Sequence, residues 1–331
     1  MKLKNEILVV TDYSIAGLRS DPFQSQLFRA LNYIGIGSAN YFFLNPSKRS
    51  IQERTQNILR GNQKFKRQKF RKVVLIGRTR VFFRELEKIQ RIVNDTEVVL
   101  YDQDPWESYI HNSRSRGFFP KLQSYVNLKE VHLTSKFWVD IVSNDISAKV
   151  IFSRMGMEPR LVPMSVASID SRQTTIAFKG SIKEHRVASL NRLREMGVPI
   201  EISGGGLAHL DYLFYLQGIK AFFHDESGAW FCPDIASENK YVPRTSGMWI
   251  KDIEIASQGT FVIRNYGEDA SSYSMSEVPL VRFFRDIDEV EGILEEIINL
   301  STREKLEIQE ESRSVIRSRN DWIKIAEALT E

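Results

Sequence analysis

Residues 244–266 read Arg-Thr-Ser-Gly-Met-Trp-Ile-Lys-Asp-Ile-Glu-Ile-Ala-Ser-Gln-Gly-Thr-Phe-Val-Ile-Arg-Asn-Tyr. Ile250, Ile253, Ile255 and Ala256 give this text the apolar side of a short helix. Gly259 stands where a helix must end in a residue with positive φ. The β-branched and aromatic run Thr260–Ile263 then predicts a buried strand. A helix feeding a buried strand through a glycine stop is the unit of a parallel α/β sheet. Two charges interrupt the apolar text, Lys251 and Glu254, and their i,i+3 spacing puts them on one face of the helix. On an arbitrary helix that spacing describes a solvated ion pair of little energetic value.

The same rhythm continues upstream. Thr174–Phe178 reads as a strand that runs into Gly180 and Ser181, followed by a helix from about Glu184 to Met196 that stops at Gly197. Pro199–Ile202 is a second strand, and it ends on Ser203-Gly204-Gly205-Gly206. Two strand-glycine-helix turns of this kind offer bare backbone N–H groups and helix N-termini to an anion. Lys183 and Arg186 sit at the start of the first helix, where the helix dipole favours acids instead. Such a local conflict is expected where a bound diphosphate supplies the missing negative charge. Leu207–Leu216 is helical, and its His209 reads as a core or surface residue in preference to a ligand. Ala221–His224 is a short strand, and residues 225–245 are loop-rich.

Downstream, Pro279–Phe284 is the last apolar segment. Asp286-Ile287-Asp288 is expected to cap a helix from Glu289 to Leu300, and Thr302 opens a highly charged helix to about Ser318. The terminal segment Asn320–Leu329 carries an apolar face of Trp322, Ile325 and Leu329 with no obvious place in its own domain.

The first half has the same alternation. Ile7–Val10 is a compact apolar run, best suited to a buried parallel strand. A polar loop from Asp12 to Asp21 follows, with Asp21 as N-cap and Pro22 at the first position of a helix to Tyr33. Further strands are expected at Tyr41–Leu44, Val73–Ile76, Glu97–Tyr101, Val131–Thr134 and Val150–Phe152. Helices are expected at Ser50–Leu59, Glu85–Val93 and Phe137–Val142. The strand at 97–101 ends in an acidic, aromatic loop, Tyr101-Asp102-Gln103-Asp104-Pro105-Trp106-Glu107, and loops at that end of a strand face the ligand side of an α/β sheet. His111 and Arg114 read as surface residues.

Length, 331 residues, predicts two domains, and 42% hydrophobic with 27% charged residues is ordinary for a protein with a full core. The single cysteine, Cys232, excludes an intramolecular disulfide and a cysteine zinc cluster. No stretch has the length of a membrane span. No G-x-G-x-x-G fingerprint follows the first strand, so a dinucleotide site is not expected there. Net charge is +4. It is locally concentrated in residues 60–72, which hold seven cations and no acid. That segment suits either a solvated helix end or an anionic contact with a membrane surface or acidic polymer. Nucleic acid is the less favoured partner for it.

The string of a basic residue, two spacers and Glu before a glycine and an apolar strand resembles the nucleotide-sugar signature of GT-B glycosyltransferases. The block Gly180–Gly204 with Lys251 and Glu254 also resembles the donor domain of phage DNA β-glucosyltransferases. The loop 101–107 resembles the Asp-Asp-Pro loop of CgeB-like, spore-maturation-type glycosyltransferases, with Gln103 separating the aspartates here. The resemblance implies two Rossmann-like domains facing a cleft, with a terminal helix that crosses back to the first. It places an acceptor-side domain at 1–165, a donor domain at 174–315 and the returning helix at 316–331, with a hinge near 163–173. It implies a UDP- or GDP-sugar as co-substrate and a saccharide or glycoconjugate as acceptor. The expected reaction is hexosyl transfer without a metal, and the expected compartment is the cytoplasm, with peripheral membrane contact through 60–72. Glu254 would take the ribose hydroxyls. Gly180, Ser181, Lys183, Arg186, Gly204, Gly205 and Lys251 would surround the diphosphate, and the base would come from Asp12, Asp21, Asp102, Asp104 or His111, with Asp104, in the loop that carries the resemblance, placed first. The second glutamate that retaining families carry upstream is absent, Gly247 standing seven residues before Glu254. A sugar-nucleotide epimerase, a non-catalytic binding protein and a nucleic-acid binder acting through 60–72 are the competing readings.

Overall fold

In the computed structural model the described residues are 6–12, 22–37, 40–44, 70–103, 105–109, 113–180, 182, 184–225, 229–231, 241–243, 250–266 and 274–331. Asp21, Asp104, Ser181, Lys183, His111, Cys232, the expected helix 50–59 and residues 60–69 of the basic segment lie outside them. The chain divides into two compact units, Met1–Ser153 with Phe231–Val242 and Trp322–Glu331, and Arg154–Trp230 with Pro243–Asp321.

The first unit is built on a parallel sheet of order β2-β1-β3-β4-β5-β6. Its strands are β1 (Ile7–Thr11), β2 (Tyr41–Phe43), β3 (Lys72–Ile76), β4 (Glu97–Asp102), β5 (Leu128–Leu133) and β6 (Lys149–Phe152). Successive residues of β1, β3 and β4 are buried, as both-face burial in a parallel sheet requires. Helix α1 (Pro22–Tyr33) follows β1. Then come α2 (Thr79–Arg84), α3 (Leu86–Val93), α4 (Phe118–Tyr125) and α5 (Lys136–Asp145). Phe82, Leu86, Ile89, Phe118, Phe119, Leu122 and Trp138 from α2 to α5 close over Leu8, Val10, Val73, Leu75, Val98 and Leu100 in one core. Helices α2 and α4 escape the sequence reading, because each is barely two turns of mixed aromatic and basic text.

The second unit has a parallel sheet of order β13-β12-β9-β7-β8. In chain order it runs β7 (Thr174–Lys179), α6 (Glu184–Glu195), β8 (Ile200–Ser203), α7 (His209–Gln217) and β9 (Ile219–His224). After β9 the chain forms a two-stranded ribbon, β10 (Ala229–Phe231) with β11 (Tyr241–Pro243), in the stretch read as loop, and Phe231–Val242 group with the first unit. Then come α8 (Ile250–Ser257), β12 (Phe261–Asn265), β13 (Val281–Phe284), α9 (Glu289–Asn299) and α10 (Thr302–Arg319). The helix, glycine and strand of residues 250–265 therefore form as expected, and Gly259 has φ +73°. Space is as demanding there as conformation. A Cβ on Gly259 would lie 2.7 Å from Val166 Cγ2 and 2.8 Å from Gln309 Nε2.

Residues 154–165 group with the second unit, whereas the sequence reading carries the first domain to 165. The cause is hydrogen bonding to the end of α10: Met157 N donates to Asn320 O (2.7 Å), and Asn320 Nδ2 donates to Met155 O (2.8 Å). Arg172 is buried and donates to Thr260 Oγ1 (2.7 Å), Ile219 O (2.8 Å) and Gln258 O (3.0 Å), which fastens this segment beneath the end of α8. Burial pushes its pKa down to about 10.

Asp288 does not cap α9 with its side chain. It is drawn instead into a bidentate pair with Arg192, at 2.7 and 2.9 Å, while Asp286 Oδ1 accepts from Asp288 N. The cap of α10 is a Ser301–Glu304 capping box. The last helix, α11 (Trp322–Thr330), packs on α1 and β3 of the first unit. The apolar face of the terminal segment thus finds its partner in the first sheet.

Candidate functional site

In an open parallel sheet the ligand side is the carboxyl edge where the strand order reverses. In the second unit that point lies between β7 and β9, because β8 is added on one side of β7 and β9 on the other. The residues that end these strands are Lys179 with Gly180, and His224 with Asp225. Lys251, from the first turn of α8, reaches this edge: its Nζ donates to Lys179 O (2.8 Å) and sits 5.4 Å from the centre of the Phe222 ring. Gly180 is what makes room. Its φ is +155°, and a Cβ there would stand 3.2 Å from the Lys251 ammonium. Gly180 N in turn donates to Ser203 O (3.2 Å), the residue before the glycine run, and Lys179 Nζ donates to Ser203 Oγ (3.2 Å). Gly180, the Ser203 turn and Lys251, singled out separately in sequence, thus meet in one place. Gly204 and Gly205 have open space around them, with nothing within 4 Å of a built Cβ.

Glu254 lies one helical turn beyond Lys251 and is only 2% exposed, so the reading of a solvated surface pair does not apply to it. Its Oε1 is 2.7 Å from His209 Nε2, an imidazole N–H at the start of α7 donating to a carboxylate on α8. His209, passed over in the sequence, is therefore the partner of the very carboxylate that the sequence picked out. Tyr212 follows one turn along α7, with a buried hydroxyl that has no hydrogen-bond partner. Burial, then the nearby Glu254 and Asp252 carboxylates, raise its pKa well above the usual range and keep the phenol neutral.

A second buried group also escaped the sequence reading. Asp252 accepts from both His224 and Arg264, and all three side chains are buried. Its two oxygens thereby tie α8 to the ends of β9 and β12, which fixes the rotation that sends Lys251 and Glu254 to their places. The signal was present: His224 and Arg264 each follow an apolar run, Ala221–Phe223 and Phe261–Ile263, and a buried charge requires a partner. Arg186 is also buried. It donates from Nε to Asp225 O (3.1 Å) and lies 5.8 Å from the Phe178 ring centre, so it braces the end of β9 against β7.

In the first unit, Asp102 ends β4 and is buried, its Oδ2 accepting from Thr79 Oγ1 at 2.5 Å. Asp12, at the end of β1, is held by Arg78, whose backbone N and Nε donate to it at 3.0 and 2.6 Å. Gly77 permits that approach, since a Cβ there would be 2.4 Å from Asp12 Oδ1. Arg114 is exposed.

Comparison of the sequence with protein-family profiles and with curated proteins gives no match. Solved structures are similar along the whole length. A sucrose-phosphate synthase from Thermosynechococcus elongatus superposes with a TM-score of 0.61 at 9% identity, over 98% of this chain and 97% of that one. Anabaena HepE, solved in complex with UDP-glucose, gives 0.60 at 10% identity, covering 98% of each chain. The DNA-modifying enzyme β-glucosyltransferase, solved in the presence and absence of uridine diphosphoglucose, gives 0.59 at 9% identity over 98% and 99%. Likeness at this level of identity speaks to the fold, and the fold is the two-domain GT-B architecture.

Proposed function

We propose that the chain is a glycosyltransferase that moves a sugar from a UDP- or GDP-sugar to a hydroxyl of a saccharide or glycoconjugate, without help from a metal ion. The observation that carries this reading is the Lys251 ammonium, held at the strand-order reversal of the second sheet against Gly180 and one turn from Glu254. As the glycosidic bond breaks, negative charge gathers on the departing diphosphate. A fixed cation beside it stabilises the transition state more than the ground state, which is what accelerates the step. Lys251 is assigned that role, and Lys183, Ser181 and the Gly180 and Gly204–Gly205 backbone are assigned to the same diphosphate. Arg186 supports the same edge through Asp225. Glu254 is assigned to the ribose hydroxyls.

Attack on the anomeric carbon requires a base within hydrogen-bond reach of the acceptor hydroxyl. Asp104 is proposed for that task, with Asp102 and Asp21 as the other candidates, since the loop 101–107 carries the CgeB-like resemblance. Asp102 is the least suited of the three, because it is buried and already accepts from Thr79. Peripheral contact with an anionic surface is assigned to residues 60–72.

The direct test is release of free nucleoside diphosphate from UDP- and GDP-sugars, with and without a panel of oligosaccharide acceptors. Release that depends on acceptor and is lost in Asp104→Asn supports transfer and the base assignment. Release at the same rate without acceptor identifies a hydrolase and refutes transfer. Conversion of the sugar with no release identifies an epimerase.

A further inference from the structure

We propose that His209 is a positioning residue for Glu254 and that the pair makes the site select ribonucleotides over 2′-deoxyribonucleotides. This rests on the reading of the second unit as a nucleotide-sugar site, and it adds a residue that neither the sequence pattern nor the fold assigns.

Glu254 is 2% exposed, and the His209 side chain 7%, so water does not hold either group in place. A carboxylate in such a setting must be satisfied by protein, and its orientation is set by whichever donor reaches it. His209 Nε2 reaches Oε1 at 2.7 Å. The two residues are 45 positions apart and on different helices, so the contact is tertiary. His209 opens α7 three residues after Gly206, which joins the carboxylate's orientation to the glycine turn beside the proposed phosphate site. A carboxylate oxygen has two lone pairs, and with Oε1 held from one side its geometry toward a ligand is fixed. A ribose diol presents two hydroxyl donors and a 2′-deoxyribose only one. A rigid acceptor therefore rewards the ribose, whereas a carboxylate free to rotate loses much of that difference.

The experiment measures affinity for UDP and 2′-deoxy-UDP, and for GDP and 2′-deoxy-GDP, in the wild-type chain, His209→Ala and His209→Gln. The wild type is expected to prefer one ribonucleotide over its deoxy counterpart by about tenfold or more, the worth of a hydrogen bond to a charged acceptor. His209→Ala should bring that ratio toward one while leaving affinity for the deoxy compound nearly unchanged. His209→Gln, whose amide N–H can still donate to Oε1, should restore it. A merely structural histidine would weaken both nucleotides alike and leave the ratio intact, and that outcome overturns the proposal. Failure of the wild type to bind any of the four nucleotides overturns the donor-site reading itself, and is told apart by needing no variant.

Discussion

Gly259 meets two demands that no other residue can meet together. It ends α8 with φ +73°, and its missing side chain leaves room for Val166 and Gln309. Alanine there would pay for a left-handed backbone and for overpacking at once. Gly259→Ala should therefore lower unfolding free energy by about 2 kcal/mol or more. A urea denaturation midpoint equal to that of the wild type would show that the backbone simply shifts aside. The positive φ was legible in the sequence, because a glycine after a helical apolar face has few other uses. The clash was not, since Gln309 lies 50 positions away on α10. The same limit explains the site. Lys251 and Glu254 could be read from their spacing on one helix, whereas His209 and Asp252 acquire meaning only through partners distant in the chain. His209 alone looks like any histidine, and Asp252 like any acid in a first turn.

Among the elements, α11 is the one whose place decides whether the chain is a single linear pair of domains. Its segment had an apolar face without a home, and in the structure that face lies against α1 and β3. Trp322 is fully buried, its ring 6.1 Å from that of Tyr101 on β4 and tilted by 64°. Replacing it by alanine removes a large side chain from a packed interior, at a cost of about 3–5 kcal/mol. Trp322→Ala should accordingly unfold the first unit at lower temperature, in a calorimetric scan, while the transition of the second unit stays near its wild-type position. A shift of less than a degree would mean that the helix contributes little to the first sheet. Long apolar strands and periodic helices were readable from their text. The short α2 and α4, and the β10–β11 ribbon, were not, because pieces of this length carry too few apolar positions to show a period.

At the scale of the whole molecule, two parallel sheets and a returning helix give the GT-B architecture, and solved structures with under 11% identity share it. No helix among the described residues is long and apolar enough to cross a membrane. The proposed function requires that a nucleotide-sugar diphosphate be held at the carboxyl edge of the second sheet. Calorimetric titration of a set of UDP- and GDP-sugars into the wild-type chain and into Lys251→Met tests that claim most directly. The account predicts saturable binding of at least one sugar nucleotide to the wild type. It predicts affinity about tenfold or more weaker in Lys251→Met, since a charge-assisted contact to the diphosphate is lost. Equal affinity in a correctly folded Lys251→Met, or no binding of any sugar nucleotide to the wild type, would contradict it.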